Sequence, residues 1–104
     1  MRRLVYLAAA RSDLLIILET VTEISGSLQT GRRYVDRIRA HCRKLAGLPG
    51  LIGRPRPELP HGIRSSACGS HVVYFRYVGD TVEVVSVLHA RRDVTAAFAP
   101  DEEG

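Results

Sequence analysis

The run VVYFRYVGDTVEVVSVLH, residues 72 to 89, restricts the fold more than any other part of this chain. Two β-rich segments flank Gly79-Asp80, and glycine tolerates the positive φ of a tight turn, so the pair marks a hairpin. A two-residue loop there pairs Val78 with Thr81, Tyr77 with Val82, Arg76 with Glu83 and Phe75 with Val84. Phe75, Tyr77, Val82 and Val84 then share one apolar face. Arg76 and Glu83 meet on the other, where opposite charges contribute a fraction of a kcal/mol. A second reversal at Gly69-Ser70 adds a preceding strand. A two-residue loop at that reversal would place Arg64 and Ser66 on the Phe75 face, so a longer turn is expected, with the register moved by one and Arg64 sent outward.

Upstream the pattern changes period. Residues 3 to 8 read as a first strand. Ser12 or Asp13 can then cap a helix through a side-chain oxygen. Leu14, Ile17, Leu18, Val21, Ile24 and Leu28 fall on one helical arc, the expected buried stripe. Leu15 and Ile16 fall outside it beside Glu19 and Glu23, which implies either a contact beyond this chain's own core or cover from a neighbouring loop. Gly26 and the SLQTG stretch end that helix, and Thr30 starts a second. Tyr34, Val35, Ile38, Cys42 and Leu45 share one face of it, with Arg32, Arg39 and Arg43 along one flank and Arg33, Arg37 and Lys44 along the other. Arg43 and Lys44 also suit the negative end of the helix macrodipole, and Gly47 and Pro49-Gly50 stop the helix. So short a connection makes the two helices an antiparallel hairpin. Residues 49 to 62 carry Pro49, Pro55, Pro57 and Pro60 and read as stiff, extended chain, of a length that is often functional.

The order is thus β-α-α-β-β-β, an α+β fold with a helical hairpin on one face of a mainly antiparallel four-stranded sheet. At 104 residues the chain is one domain, residues 1 to 104, with the acidic tail from about residue 99 expected to fray. No apolar run approaches the ~20 residues of a membrane span. The opening MRRLVYLAAA resembles a signal peptide only loosely, because charged Arg11 and Asp13 follow at once, and a cytoplasmic location is expected. Cys42 and Cys68 are too few for a disulfide framework or a zinc site and read as small buried hydrophobes. His41, His61 and His71 lack metal-ligand spacing, so no metal or other cofactor is expected. No HExxH, P-loop, GxGxxG or nucleophile elbow is present.

Charge says more. Fifteen basic residues oppose eleven acidic ones for a net +4, and Lys44 is the one basic residue that is not arginine. Arginine suits bidentate contact with carboxylates or phosphates. A basic chain meets nucleic acid or an acidic protein segment, or simply carries a solvated basic surface. No basic run is interleaved with aromatics as single-strand binding requires.

Five pieces in order carry a resemblance: Ser12-Asp13-Leu14, GRPRPEL from Gly53, GIRS from Gly62, VYFRY from Val73, and VLHARRD from Val87. Together they resemble the ParE branch of the RelE/ParE toxin superfamily, over about residues 3 to 94. The resemblance implies the toxin half of a bacterial type II toxin–antitoxin pair. Such a toxin would poison DNA gyrase without being an enzyme, and a ParD-like antitoxin would neutralise it. Nucleic acid would be met only indirectly, through the target or the antitoxin complex. Ser66, Ala67, Cys68, Ser70 and His71 depart from the family pattern.

Two alternatives follow. A ribosome-dependent mRNA endonuclease of RelE type needs charge at the scissile phosphate and a proton-transfer group. Arg64 and Arg76 would supply the first and His89 the second, with Arg91 or Arg92 assisting. Against it, the long connection has no lysine and the segment after Ala90 no tyrosine. The other alternative is a degenerate, non-toxic partner-binding module. For the toxin itself, Leu15, Ile16, Arg64 and Arg76 are expected to meet the antitoxin, and Arg91 and Arg92 the target.

Overall fold

The computed structural model describes residues 1–98. The expected fraying of the tail lies outside these residues. The chain forms β1 (Arg3–Tyr6), α1 (Ala8–Ser25), α2 (Leu28–Gly47), β2 (Arg54–Pro55), β3 (Arg64–Cys68), β4 (His71–Val78), β5 (Thr81–His89) and a four-residue α3 (Val94–Ala97). One sheet runs in the order β1-β5-β4-β3-β2. Only β1 and β5 are parallel; the other neighbours are antiparallel. The α+β reading holds, with one more strand than expected. The addition comes from the proline-rich connection, where Arg54 pairs with Ser65 and Pro55 with Arg64. Proline is tolerated there because β2 is an edge.

The β4–β5 hairpin has the register that the sequence implies, from Val78↔Thr81 to Phe75↔Val84. Phe75, Val82 and Val84 are fully buried, and Arg76 Nε lies 2.8 Å from Glu83 Oε1. The expectation for Gly69-Ser70 is overturned. The loop has two residues, Cys68 pairs with His71, and Arg64 pairs with Phe75. Arg64 and Ser66 therefore do share the Phe75 face, and each has a polar partner there. The Arg64 guanidinium donates to the Ile52 and Gly53 carbonyls at 2.8 and 3.0 Å. Ser66 Oγ lies 2.8 Å from His41 Nε2 of α2. A polar residue on a core face is stable when it is satisfied.

Both helices start earlier than expected. The high helix propensity of Ala8, Ala9 and Ala10 lets α1 begin behind an uncapped Leu7. Asp13 is thus released from capping. Ser27 caps α2 through its side chain, accepting the Thr30 amide at 3.2 Å, so α2 opens at Leu28 rather than Thr30. Gly26 takes the left-handed conformation between them, φ 72°. The first strand likewise stops at Tyr6, two residues short of the expected end.

The main core lies between the helices and the sheet. It takes Ala10, Leu14 and Ile17 from α1, Val35, Ile38, Cys42 and Leu45 from α2, and Val73, Phe75, Val82, Val84 and Val87 from the sheet. Cys42 and Cys68 are buried free thiols, and burial pushes the Cys42 thiol up to about 11. Ile24 and Leu28 were expected in this core and are instead 81% and 49% exposed. The reason is overhang. Helix α2 passes the β3–β4 turn at Tyr34, which touches Ser70 and His71, so the closed end of the helical hairpin projects past the sheet. The opposite sheet face has a smaller core of Leu59, Ile63, Tyr74 and Leu88, joined by Val94 and Phe98.

Candidate functional site

Helix α1 leaves a groove of about 430 Å³ along its flank, between it and the open end of the β4–β5 pair. Ile16, Ile17, Val21 and Ile24 form the apolar wall, Val87 and Leu88 line it from β5, and Tyr34, His71, His89 and Arg92 close one end. Ile16 is 57% exposed and Leu15 beside it 64%, so the two aliphatics expected outside the core are uncovered; Ile16 lines the groove and Leu15 lies outside the lining.

A β-bulge builds the polar end. The β4–β5 register shifts between Tyr74 and Phe75, so that beyond it Tyr74 opposes Ser86 and His71 opposes His89. Without the extra residue His71 would face Leu88. The shift puts both imidazoles on one face, edge to face with centroids 5.3 Å apart. Tyr34 reaches down from α2 to accept the Ser70 amide at 3.0 Å and bond His71 Nδ1 at 2.6 Å. The Ser70 N–H occupies a lone pair of the hydroxyl oxygen, which leaves the hydroxyl hydrogen for a neutral His71 ring. Burial, and then the nearby His89, hold the His71 pKa below the ordinary histidine value. His89 Nδ1 accepts the Arg91 amide at 3.1 Å.

Asp13 acts where β1 has ended, since β1 pairs with β5 only as far as Tyr6↔Val84. Its Oδ2 accepts the Ser86 hydroxyl at 2.6 Å and the Val87 amide at 2.9 Å, so the carboxylate pins α1 to β5 along the groove floor. Neither Asp13 nor the Tyr34–His71 pair was singled out as functional from the sequence. No local signal reveals a bulge, and the pairing of His71 with His89 depends on it.

The residues expected for RNA cleavage do not converge. Arg64 and Arg76 point to opposite faces of the sheet, because Arg64 opposes Phe75 and Arg76 is the next residue along β4. His89 sits two strands from β3 and four residues from the Phe75 level, which places its Cα ~16 Å from that of Arg64. Arg64 is bound to two backbone carbonyls and Arg76 to Glu83. The proposed antitoxin contacts are split in the same way: Leu15 and Ile16 belong to α1, Arg64 and Arg76 to the far strands. Arg91 and Arg92 are exposed in the turn after β5, with Arg92 at the groove's end. Among the described residues no three His, Cys, Asp or Glu side chains cluster to hold a metal ion. No helix among them is long and apolar enough to cross a membrane.

Residues 4–94 match the family model described as the ParE toxin of the type II toxin–antitoxin system, parDE. This chain belongs to the ParE toxin family. The matched span nearly coincides with the one on which the resemblance rested, and it makes the chain a ParE-type toxin of a type II toxin–antitoxin system. It is similar to Toxin ParE1 of Caulobacter vibrioides, 35% identical over 77 residues that cover 74% of this chain and 78% of the relative. It is also similar to Toxin ParE1 of Mycobacterium tuberculosis, 46% identical over 67 residues, 58% of this chain and 68% of the relative. The solved structure of the chromosomal ParDE TA system from P. aeruginosa superposes with a TM-score of 0.75 at 22% identity, covering 86% of this chain and 96% of that one. At that identity the superposition speaks for the fold.

Proposed function

We propose that this ParE-type toxin works by binding and not by cutting RNA: it poisons DNA gyrase in the cytoplasm and is silenced by a ParD-type antitoxin. One observation carries the reading. The three side chains that RNA cleavage would need do not converge on one point, each already holds a hydrogen-bond partner, and the groove along α1 is mainly apolar. Such a groove fits an amphipathic helix laid along α1, with Ile16, Val21 and Ile24 taking its apolar ridge. The partner named in the P. aeruginosa ParDE assembly supports an antitoxin as the occupant. Arg91 and Arg92, exposed beyond β5, are the side chains proposed to face the target, and Arg64 and Arg76, which do not line the groove, would meet the antitoxin outside it.

Purified chain added to a gyrase reaction should block supercoiling and trap cleaved DNA, and the antitoxin should reverse both effects. Normal supercoiling together with codon-linked cutting of ribosome-bound message, lost in His89→Ala, would overturn the proposal in favour of a nuclease. Leu15→Asp with Ile16→Asp should weaken the antitoxin complex at least tenfold in a folded protein. Unchanged affinity would remove the antitoxin from this groove.

A further inference from the structure

Helix α2 carries a charge pattern that neither the groove nor the gyrase reading uses. Six of its residues are basic and one, Asp36, is acidic, so this helix alone is more positive than the whole chain at +4. At ~100° per residue, Arg32, Arg39 and Arg43 fall within ~40° of arc and Arg33, Arg37 and Lys44 within another, the two centred ~120° apart. Between these rails the crest holds Gln29, Asp36, Ala40 and Gly47. All six basic side chains are exposed, and Arg39 also stacks over Tyr6 at 5.2 Å. The resolved ion pairs, Arg56–Glu58 and Arg76–Glu83, lie off this helix. Arg33 and Arg37, like Arg39 and Arg43, repel each other one turn apart. A polyanion would relieve that repulsion.

We infer that the outer face of α2 docks on duplex DNA, lying in the major groove with one basic rail toward each phosphate backbone. A helix ~10–12 Å across matches a groove ~12 Å wide, and Ala40 and Gly47 on the crest let it approach. The A-form major groove of duplex RNA is too narrow to admit it. An acidic protein segment fits less well, because protein interfaces centre on buried aromatic and aliphatic anchors and this crest has no large apolar side chain. Asp36 opposes binding at one point on the crest. The family resemblance implies nucleic acid met only indirectly; the two rails supply a direct contact, and it holds whether or not gyrase is the target.

Fluorescence anisotropy with the purified chain and a labelled duplex of about 20 base pairs of arbitrary sequence tests this over a salt series. Five or six phosphate contacts give a slope of log K against log salt of about −4.5 to −5.4. Arg33→Gln with Arg37→Gln should shrink that slope by about 1.8 and weaken binding tenfold or more, and glutamine keeps the helix propensity. Arg3→Gln with Arg54→Gln removes the same charge elsewhere and should change the slope by less than about 0.5. Equal effects from the two double variants would reduce the interaction to net charge and overturn the inference. So would a duplex RNA bound as tightly as DNA, or no binding at low salt. Loss of antitoxin affinity in the α2 variant with duplex binding intact would assign the face to an acidic protein instead.

Discussion

Replacing Asp13 by alanine asks whether one carboxylate fastens the helical hairpin to the sheet. Its Oδ2 receives the Ser86 hydroxyl and the Val87 amide at 2.6 and 2.9 Å, beside the bulge where the β4–β5 ladder is broken. Hydrogen bonds to a charged group contribute ~1.5–3 kcal/mol each, and a buried donor left without an acceptor costs ~1–3 kcal/mol. These figures describe the same loss from two sides and do not add. With the site half-buried, Asp13→Ala should cost ~2–4 kcal/mol, Asp13→Asn, which keeps an acceptor oxygen, ~1 kcal/mol, and Ser86→Ala ~1 kcal/mol. At ~4–8 °C per kcal/mol for a domain of this size, Asp13→Ala should melt ~8–32 °C lower. Urea unfolding at neutral pH reads the difference as a lower midpoint at constant m. A double-mutant cycle with Ser86→Ala should give ~1 kcal/mol of coupling. A change below ~0.5 kcal/mol in Asp13→Ala, or zero coupling, would refute the reasoning and leave the seam to Leu14 and Ile17 packing alone.

Gly31 lies where α2 crosses α1, and an added Cβ would overlap Thr22 Oγ1 and sit 3.0 Å from the Leu18 carbonyl oxygen. Gly31→Ala should therefore destabilise by ~1–3 kcal/mol, and Thr22→Ala in the same chain should recover most of it, as thermal melts of the single and double variants will show. Stability should also fall with acid. Burial first, then Lys44 for His41 and His89 for His71, lowers both folded pKa values below the ordinary 6.5. The unfolded chain then binds more protons through that window, so the contribution is intact above about pH 6.5 and is lost as pH falls through the lowered folded values. Urea midpoints taken from about pH 8 to about pH 5 check the slope, which His41→Asn with His71→Gln should flatten. No flattening would assign the slope to carboxylates.

The groove was half legible beforehand. Leu15 and Ile16 break the apolar stripe of α1, and that departure marks an uncovered surface in any register. The polar end was invisible, because His71 and His89 become neighbours through one unpaired residue in β5, and valine at 84 and 85 gives no hint which of them is extra. Arg64 misled for a related reason. An arginine on a core-facing position reads as an error until the Ile52 and Gly53 carbonyls come within reach, and they belong to a connection whose path no periodicity encodes.

Local physics settled the β4–β5 turn with its first four pairs, the apolar face of α2 and its two basic flanks, since each depends on residues within a few positions of one another. Tertiary contact alone decided the fifth strand, the inward Arg64, the exposure of Ile24 and Leu28, and the seating of Asp13 on Ser86 and Val87. Those outcomes depend on where distant segments end in space, and hydrogen-bond partners more than seventy residues away in the chain leave no periodic trace along it.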